Sequence, residues 1–304
     1  MAPPRDVWEA LQRCLELPRR WVVPIAVLAL VSTVHVGRKE GSWEFAFGVG
    51  SITATLVALA WLPALLSVIA LTGGKIKTSA GEASTGGLLD FFKSLPPGER
   101  EAPLAALAAA AENVEATGPV ARRPQARRVR QEAEEAIASA AGGPHQVEER
   151  LTELAQRYDN LRAHTPPGPD RTRAMTQIAA AARGYARATT VTAARWFDSG
   201  GEGARIVGLA AIQAAPSPRD LDRVVDAISH SKSAFEQFQA LRSADALAPG
   251  LDAAGRTALC RAISGQIAEV ETSEKRITPA DQSRWAYAHD LLRRYCKDQP
   301  PAAT

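Results

Sequence analysis

The chain has 304 residues, 46% of them apolar and 6% aromatic, with 36 basic side chains against 33 acidic ones. That length buries a real core in one to three domains, and so even a charge balance makes no global demand for a nucleic-acid partner. The cysteines Cys14, Cys260 and Cys296 lie far apart in sequence and the histidines are scattered. This argues against a disulfide framework or a zinc site and predicts free thiols in a reducing cytoplasm. Abundant arginine and alanine read as the coding bias of a GC-rich bacterium. The fold class expected is all-α: a two-helix transmembrane hairpin followed by a cytoplasmic helical region, with a helical hairpin and a solenoid-like part.

In chain order, residues 1–20 form a cytoplasmic N-terminal segment and 21–74 a two-span hairpin. Trp21 to Gly37 and Phe45 to Gly74 carry no formal charge. A helix needs about 20 apolar residues to cross the hydrocarbon core. The second run exceeds that length. The first is shorter and relies on flanking side chains reaching outward. Arg19, Arg20, Trp21, Arg38, Lys39, Trp43, Lys75 and Lys77 are the candidate membrane-interface residues, basic or aromatic where the headgroups would lie. Basic residues are denser on the two flanks than in the loop, so both termini are expected in the cytoplasm, in a multi-pass protein of the bacterial inner membrane. Gly50, Ala54 and Ala58 recur every four residues and offer a close-packing face. It serves either the partner span or a homo-oligomer.

Residues 75–98 read as a juxtamembrane connector. Lys75-Ile76-Lys77-Thr78 suits a small strand or an extended stalk. Leu88 to Leu95 suits a short amphipathic helix, on the bilayer or beneath the soluble part. Residues 99–164 read as a helical, short coiled-coil segment, with helices over Glu101 to Glu115 and Arg127 to Ala141. A seam of Val147, Leu151, Leu154, Tyr158 and Leu161 follows. Its alternating steps of four and three are coiled-coil spacing, and it closes an internal hairpin or meets a partner or second copy. Arg122, Arg123, Arg127, Arg128 and Arg130 form a basic cluster that either touches anionic lipid or is a solvated face paired at i,i+4, Arg128 with Glu132 and Arg130 with Glu134. Without interleaved aromatics, nucleic acid is not expected.

Residues 165–170 (TPPGPD) read as a linker, 171–298 as a helical repeat-like domain and 299–304 as a disordered tail. One long helix is predicted from Met175 to Trp196. Ser199 with Glu202, and Ser233 with Glu236, are spaced as capping boxes, and Ser217-Pro218 as a helix start. Stripes follow at Ile206, Val207, Leu209 and Ile212, at Leu221, Val224, Val225 and Ile228, and at Phe235, Phe238 and Leu241. Leu259, Ile263, Ile267 and Val270 extend the stack, and Thr278-Pro279 starts a final helix. Ser229-His230-Ser231 reads as a helix end rather than a catalytic cluster. Glu134-Glu135 reads as an outer charged face. No catalytic, cofactor or phosphate-loop pattern is present.

The stretch FDSGGEGARIVGLAAIQAAPSPRDLDRVVDAISHSKSAFEQFQAL resembles HEAT-like helical repeat units that accompany signalling or defence modules in actinobacterial proteins. The resemblance implies a packing or partner-binding scaffold and carries over no catalytic residue. The expected partners are therefore membrane lipid and an unidentified protein. The alternative is a two-span effector that oligomerises and perturbs the membrane in a stress or defence response.

Overall fold

The computed structural model describes residues 34–39, 42–47, 75–78, 81–188, 192–272 and 279–296. The chain divides into two compact units, Met1–Ser84 and Thr85–Thr304.

In the first unit the described residues form two antiparallel ribbons. β1 (Val34–Lys39) pairs with β2 (Ser42–Phe47), setting Arg38 opposite Trp43 and Lys39 opposite Ser42. β3 (Lys75–Thr78) pairs with β4 (Gly81–Ser84), setting Lys77 opposite Glu82. The small strand expected at Lys75 to Thr78 is thus present. β1 and β2 overlap the end of the first uncharged run and the start of the second, so the expected hairpin helices do not extend over 34–37 or 45–47. Val34, Val36, Phe45 and Phe47 are branched or aromatic residues of the kind that favour strands. The rest of both runs, with Arg19, Arg20, Trp21, Gly50, Ala54 and Ala58, lies outside the described residues. Among the described residues, no helix is long and apolar enough to cross a membrane.

The second unit is all helical in its described residues. α1 (Thr85–Ser94) is followed by α2 (Pro97–Thr117) and α3 (Arg123–Ser139). α4 (Pro144–His164) and α5 (Pro169–Arg187) come next. Then follow α6 (Ala193–Asp198), α7 (Glu202–Ala214), α8 (Leu221–Ser229), α9 (Ala234–Leu247), α10 (Ala253–Thr272) and α11 (Pro279–Tyr295). Proline enters the first turn of α2, α3, α4 and α5, where its fixed φ suits the helix and no amide bond is lost. Gly142, at φ 74°, turns the chain out of α3 and into α4.

The amphipathic helix expected near Leu88 is α1. It packs under the helical unit against α2 and α3, with Leu89 and Phe92 buried. The single helix expected from Met175 to Trp196 is instead two, α5 and α6. The Ser199–Glu202 capping box does not form. Ser199 Oγ donates to the Trp196 carbonyl at the end of α6, and Gly201 is the N-cap of α7. Ser233 does cap α9, its Oγ accepting from the Glu236 amide at 3.1 Å, while the Glu236 carboxylate accepts from the Lys232 amide at 2.7 Å.

The expected linker at 165–170 is a tight turn inside one compact unit. α4 and α5 pack on each other, and α5 also packs on α2, α3 and α7. A solenoid joins each repeat only to its neighbours. Here α4 meets α7, and α2 meets both α5 and α11, so the helices wrap into a closed bundle. Two close approaches fix that wrap. A Cβ on Gly184 of α5 would lie 2.7 Å from Ile137 of α3, and one on Gly203 of α7 would lie 2.1 Å from the Ala155 carbonyl of α4.

Candidate functional site

The aliphatic stripes read from the sequence form the core as expected where α4 meets α7. Val147, Leu151, Leu154 and Tyr158 are buried, as are Ile206, Val207, Leu209 and Ile212. Those four positions of the α4 seam are therefore consumed inside the unit, while Leu161 stays half-buried. Tyr158 closes it by donating its hydroxyl to Glu202 at 2.6 Å, and Ser233 donates to the same oxygen at 2.6 Å. Burial and that carboxylate push the Tyr158 hydroxyl upward from its ordinary value.

α9 departs from its predicted stripe. Phe235 and Phe238 are only half-buried, lying against Tyr158 and Tyr287 at centroid distances of 5.9 and 5.8 Å. The helix instead buries Glu236, Gln237, Gln239, Arg242 and Ser243 beside Ala240, Leu241 and Ala244. Glu236 pairs with Arg205 of α7. Gln237 donates to the Ile228 carbonyl at 3.1 Å and to Gln266 at 2.8 Å, satisfying the end of α8. This inward polar face leads into a charged network, the most distinctive feature of the unit.

Arg183 of α5 lies at its centre, fully inaccessible to solvent at 0% exposure. Its Nε donates to Glu134 of α3 at 2.8 Å, Nη2 donates to Glu112 of α2, and Nη1 donates to Gln213 of α7 at 3.2 Å. Gln239 donates back to Glu112 at 3.2 Å. Arg130 bridges Glu115 at 2.9 Å and Glu134 at 3.1 Å, Arg127 holds Glu115 at 2.8 Å, and Arg187 holds Glu134 at 3.1 Å. Arg242 of α9 donates to Glu115 at 3.3 Å. Its Nε is 3.2 Å from Glu112, close enough for ion pairing but not aligned as a hydrogen bond, and its Nη1 is buried without an acceptor among the described residues.

Burial alone would raise the carboxyl groups of this network, but the arginines outweigh it. Glu112 is held below the usual range by Arg183, Arg242 and Arg130, and Glu134 by Arg183 and Arg130. Glu115 is pulled down to about 2 by Arg242 and Arg130. Carboxylates held so firmly ionised make poor proton donors near neutrality. Their oxygens are occupied by arginines of the same unit. Among the described residues, no group of His, Cys, Asp and Glu side chains is arranged to hold a metal ion. What the network does chemically is join α2, α3, α5, α7 and α9.

Two of the five arginines of the basic cluster join this network, while Arg128 is exposed and Arg122 half-buried. Arg127 and Arg130 are engaged with Glu115 and Glu134, and Arg123 donates to the Gly118 carbonyl at 3.2 Å and lies 3.8 Å from Asp290. An anionic-surface patch of Arg122, Arg123, Arg127, Arg128 and Arg130 is therefore not presented as a unit. Glu134 is not on an outer face either, because helix α3 turns it inward to Arg183. Arg130 and Glu134 do pair at i,i+4 as expected, but in the interior. His230 is exposed at the end of α8, with Nδ1 3.1 Å from Asp226, as expected of a helix end.

A second cluster ties α11 to α9. Asp245 accepts from the hydroxyls of Tyr287 and Tyr295, each at 2.8 Å, and from Arg294 at 2.7 Å. Burial raises the Asp245 carboxyl, yet Arg294 and the two hydroxyls leave it below its ordinary value. Beside it, Cys260 and Cys296 are joined in a disulfide, with Cα atoms 6.0 Å apart. This corrects the expectation of free thiols at these two positions, and Cys14 lies outside the described residues. Spacing of 36 residues says nothing about contact, and only the return of α11 along α10 brings the two together.

The inward turn of α9, the Arg183 network and the cysteine pair were all missed by sequence reasoning. The one available signal was the run of polar residues interleaved with small ones, Gln239-Ala240 through Ser243-Ala244, which leaves room for neighbouring side chains to reach in. No protein family, curated protein or solved structure matches the chain.

Proposed function

We propose that the chain is a membrane-anchored helical adaptor of the bacterial inner membrane, with its helical unit in the cytoplasm and a protein as its partner. The observation that carries this reading is the pairing of two uncharged runs, Trp21 to Gly37 and Phe45 to Gly74, with a helical unit whose charged interior is spent on its own cohesion. The second run is long enough to span a bilayer. Strand β1 takes the first run from Val34 onward, so the anchor rests on the second run. The excess of basic residues on the two flanks favours the cytoplasmic side. The reading needs no catalysis. The partner surface is the repeat-like stretch from Phe197 to Leu247, whose outward residues include Asp222, His230 and Lys232.

The test is membrane fractionation followed by crosslinking. The chain is expected to stay with membranes through alkaline carbonate and to be released by detergent. Crosslinking in those membranes is expected to capture a protein that a variant with Asp222, His230 and Lys232 each changed to Ala loses. Release by carbonate alone contradicts the anchor. Capture unchanged by the triple variant contradicts the surface.

An effector that oligomerises through Gly50, Ala54 and Ala58 is the alternative, motivated by their spacing in the sequence. It predicts membrane depolarisation on expression, abolished by Ala54→Leu.

A further inference from the structure

The cysteine pair sits where α11 is fastened to the rest of the helical unit. Cys260, on α10, is buried at 4% exposure, and Cys296 follows α11 directly and is half-buried. Together with Ala244, Leu259, Ile263, Leu291 and Tyr295 they line a seam that leaves no water-sized space. α11 covers this seam with Trp285, Tyr287, Ala288 and Leu291, all buried. Its described ties to α9 include the polar bonds from Tyr287, Arg294 and Tyr295 to Asp245 and the ring contact of Tyr287 with Phe238. With the disulfide formed, Val120 is the sole large hydrophobic residue exposed among the described residues.

A disulfide on the cytoplasmic side of a membrane is not a permanent staple, because cellular dithiols reduce it. Where such bonds occur there they are typically transient and redox-sensing. We propose that Cys260–Cys296 is a reversible redox latch that holds α11 over the apolar seam of α9 and α10. The inference rests on the cytoplasmic placement proposed above.

The chemistry balances with partners of ordinary class. The thiolate of a dithiol reductant attacks Sγ of Cys296, the more accessible sulfur. A mixed disulfide forms and Cys260 leaves as a thiolate that takes up a proton. The second thiol of the reductant then attacks its own bonded sulfur and releases Cys296. The latch gains two electrons and two protons, and the reductant becomes a disulfide. A small disulfide oxidant reverses both steps. With the bond open, α11 loses the link that limits its excursions, since a cross-link acts largely by restricting the open ensemble.

The test uses the full chain, in detergent for exchange and in cells for redox state. Amide hydrogen exchange over 279–295 is expected to speed up by about tenfold or more on reduction, with α4 unchanged. Cys296→Ser is expected to show the fast rate with no reductant present, and it leaves the buried Cys260 in place. Equal rates in oxidised and reduced chain overturn the latch. In cells, thiols are trapped with N-ethylmaleimide before, during and after diamide treatment, and a reporter fused to the C-terminus reads the side of the membrane. A cytoplasmic reporter with a pair that oxidises and then recovers supports the proposal. A cytoplasmic reporter with a pair fixed in either state overturns the latch alone. An extracytoplasmic reporter overturns the placement, and with it the reversible latch.

Discussion

Where α5 and α7 meet α4, the bundle buries Val147, Leu151, Leu154, Ile206, Leu209 and Ile212. Where α5 meets α2 and α3, and α2 meets α9, it buries Glu112, Glu134, Arg183 and Arg242. The two regions reach the same exclusion of solvent by different physics. The aliphatic region gains from every methylene removed from water, and its cost of disruption depends on the cavity left behind. The charged region starts from a large desolvation penalty that mutual attraction and hydrogen bonds offset. Such a network adds little net stability over an apolar replacement, yet loss of one member strands its partners. It is therefore less a source of stability than a constraint on which helices meet, because Glu134 is satisfied only when α3, α5 and their arginines are all in place.

That contrast can be broken from either side. Acid should have the largest effect. Glu112, Glu115 and Glu134 have folded-state values below those of free carboxyls. Stability from them is fully present above the unfolded value of about 4.3 and is lost as pH falls through the folded values. For Glu115 that window runs from about pH 4.3 down to about 2. Urea unfolding across this range should show a steep decline that Leu151→Ala does not alter. A flat profile would mean the carboxylates are not paired as described.

Glu134→Ala at neutral pH should cost about 3–5 kcal/mol, because it leaves Arg183 buried with fewer partners. The double change of Glu134 and Arg183 to apolar residues should cost less than the two single changes combined, as a double-mutant cycle would reveal. Leu151→Ala should cost about 3 kcal/mol, a cavity effect independent of pH between 5 and 8. Arg150→Ala removes an exposed 2.7 Å pair with Glu153 and should change stability by less than about 0.5 kcal/mol, calibrating the interior effects against a surface one.

The aliphatic half was legible because periodicity is a local signal. The steps from Val147 to Tyr158 and the stripe at Ile206 to Ile212 mark buried faces without reference to any partner, and the helix start at Ser233 follows from backbone chemistry. The charged half was not. Arg183 and Glu112 are 71 residues apart, and a buried arginine looks like a surface arginine until its partner is known. The same non-locality hid the cysteine pair. It also made residues 165–170 read as a boundary between domains, since proline and glycine mark a tight turn and a linker alike. The uncharged runs are the basis of the proposed membrane anchor, read from hydropathy alone.

The Arg183 network makes one unit of the helices on both sides of residues 165–170. Amide hydrogen exchange on Arg183→Met in the full chain is the decisive measurement. Helices α2, α3, α5, α7 and α9 are expected to lose protection together, by about a hundredfold or more, as for loss of a few kcal/mol shared by one cooperative unit. Loss confined to α5 and its neighbours after residue 170, with α2 and α3 protected as in the unaltered chain, would contradict it.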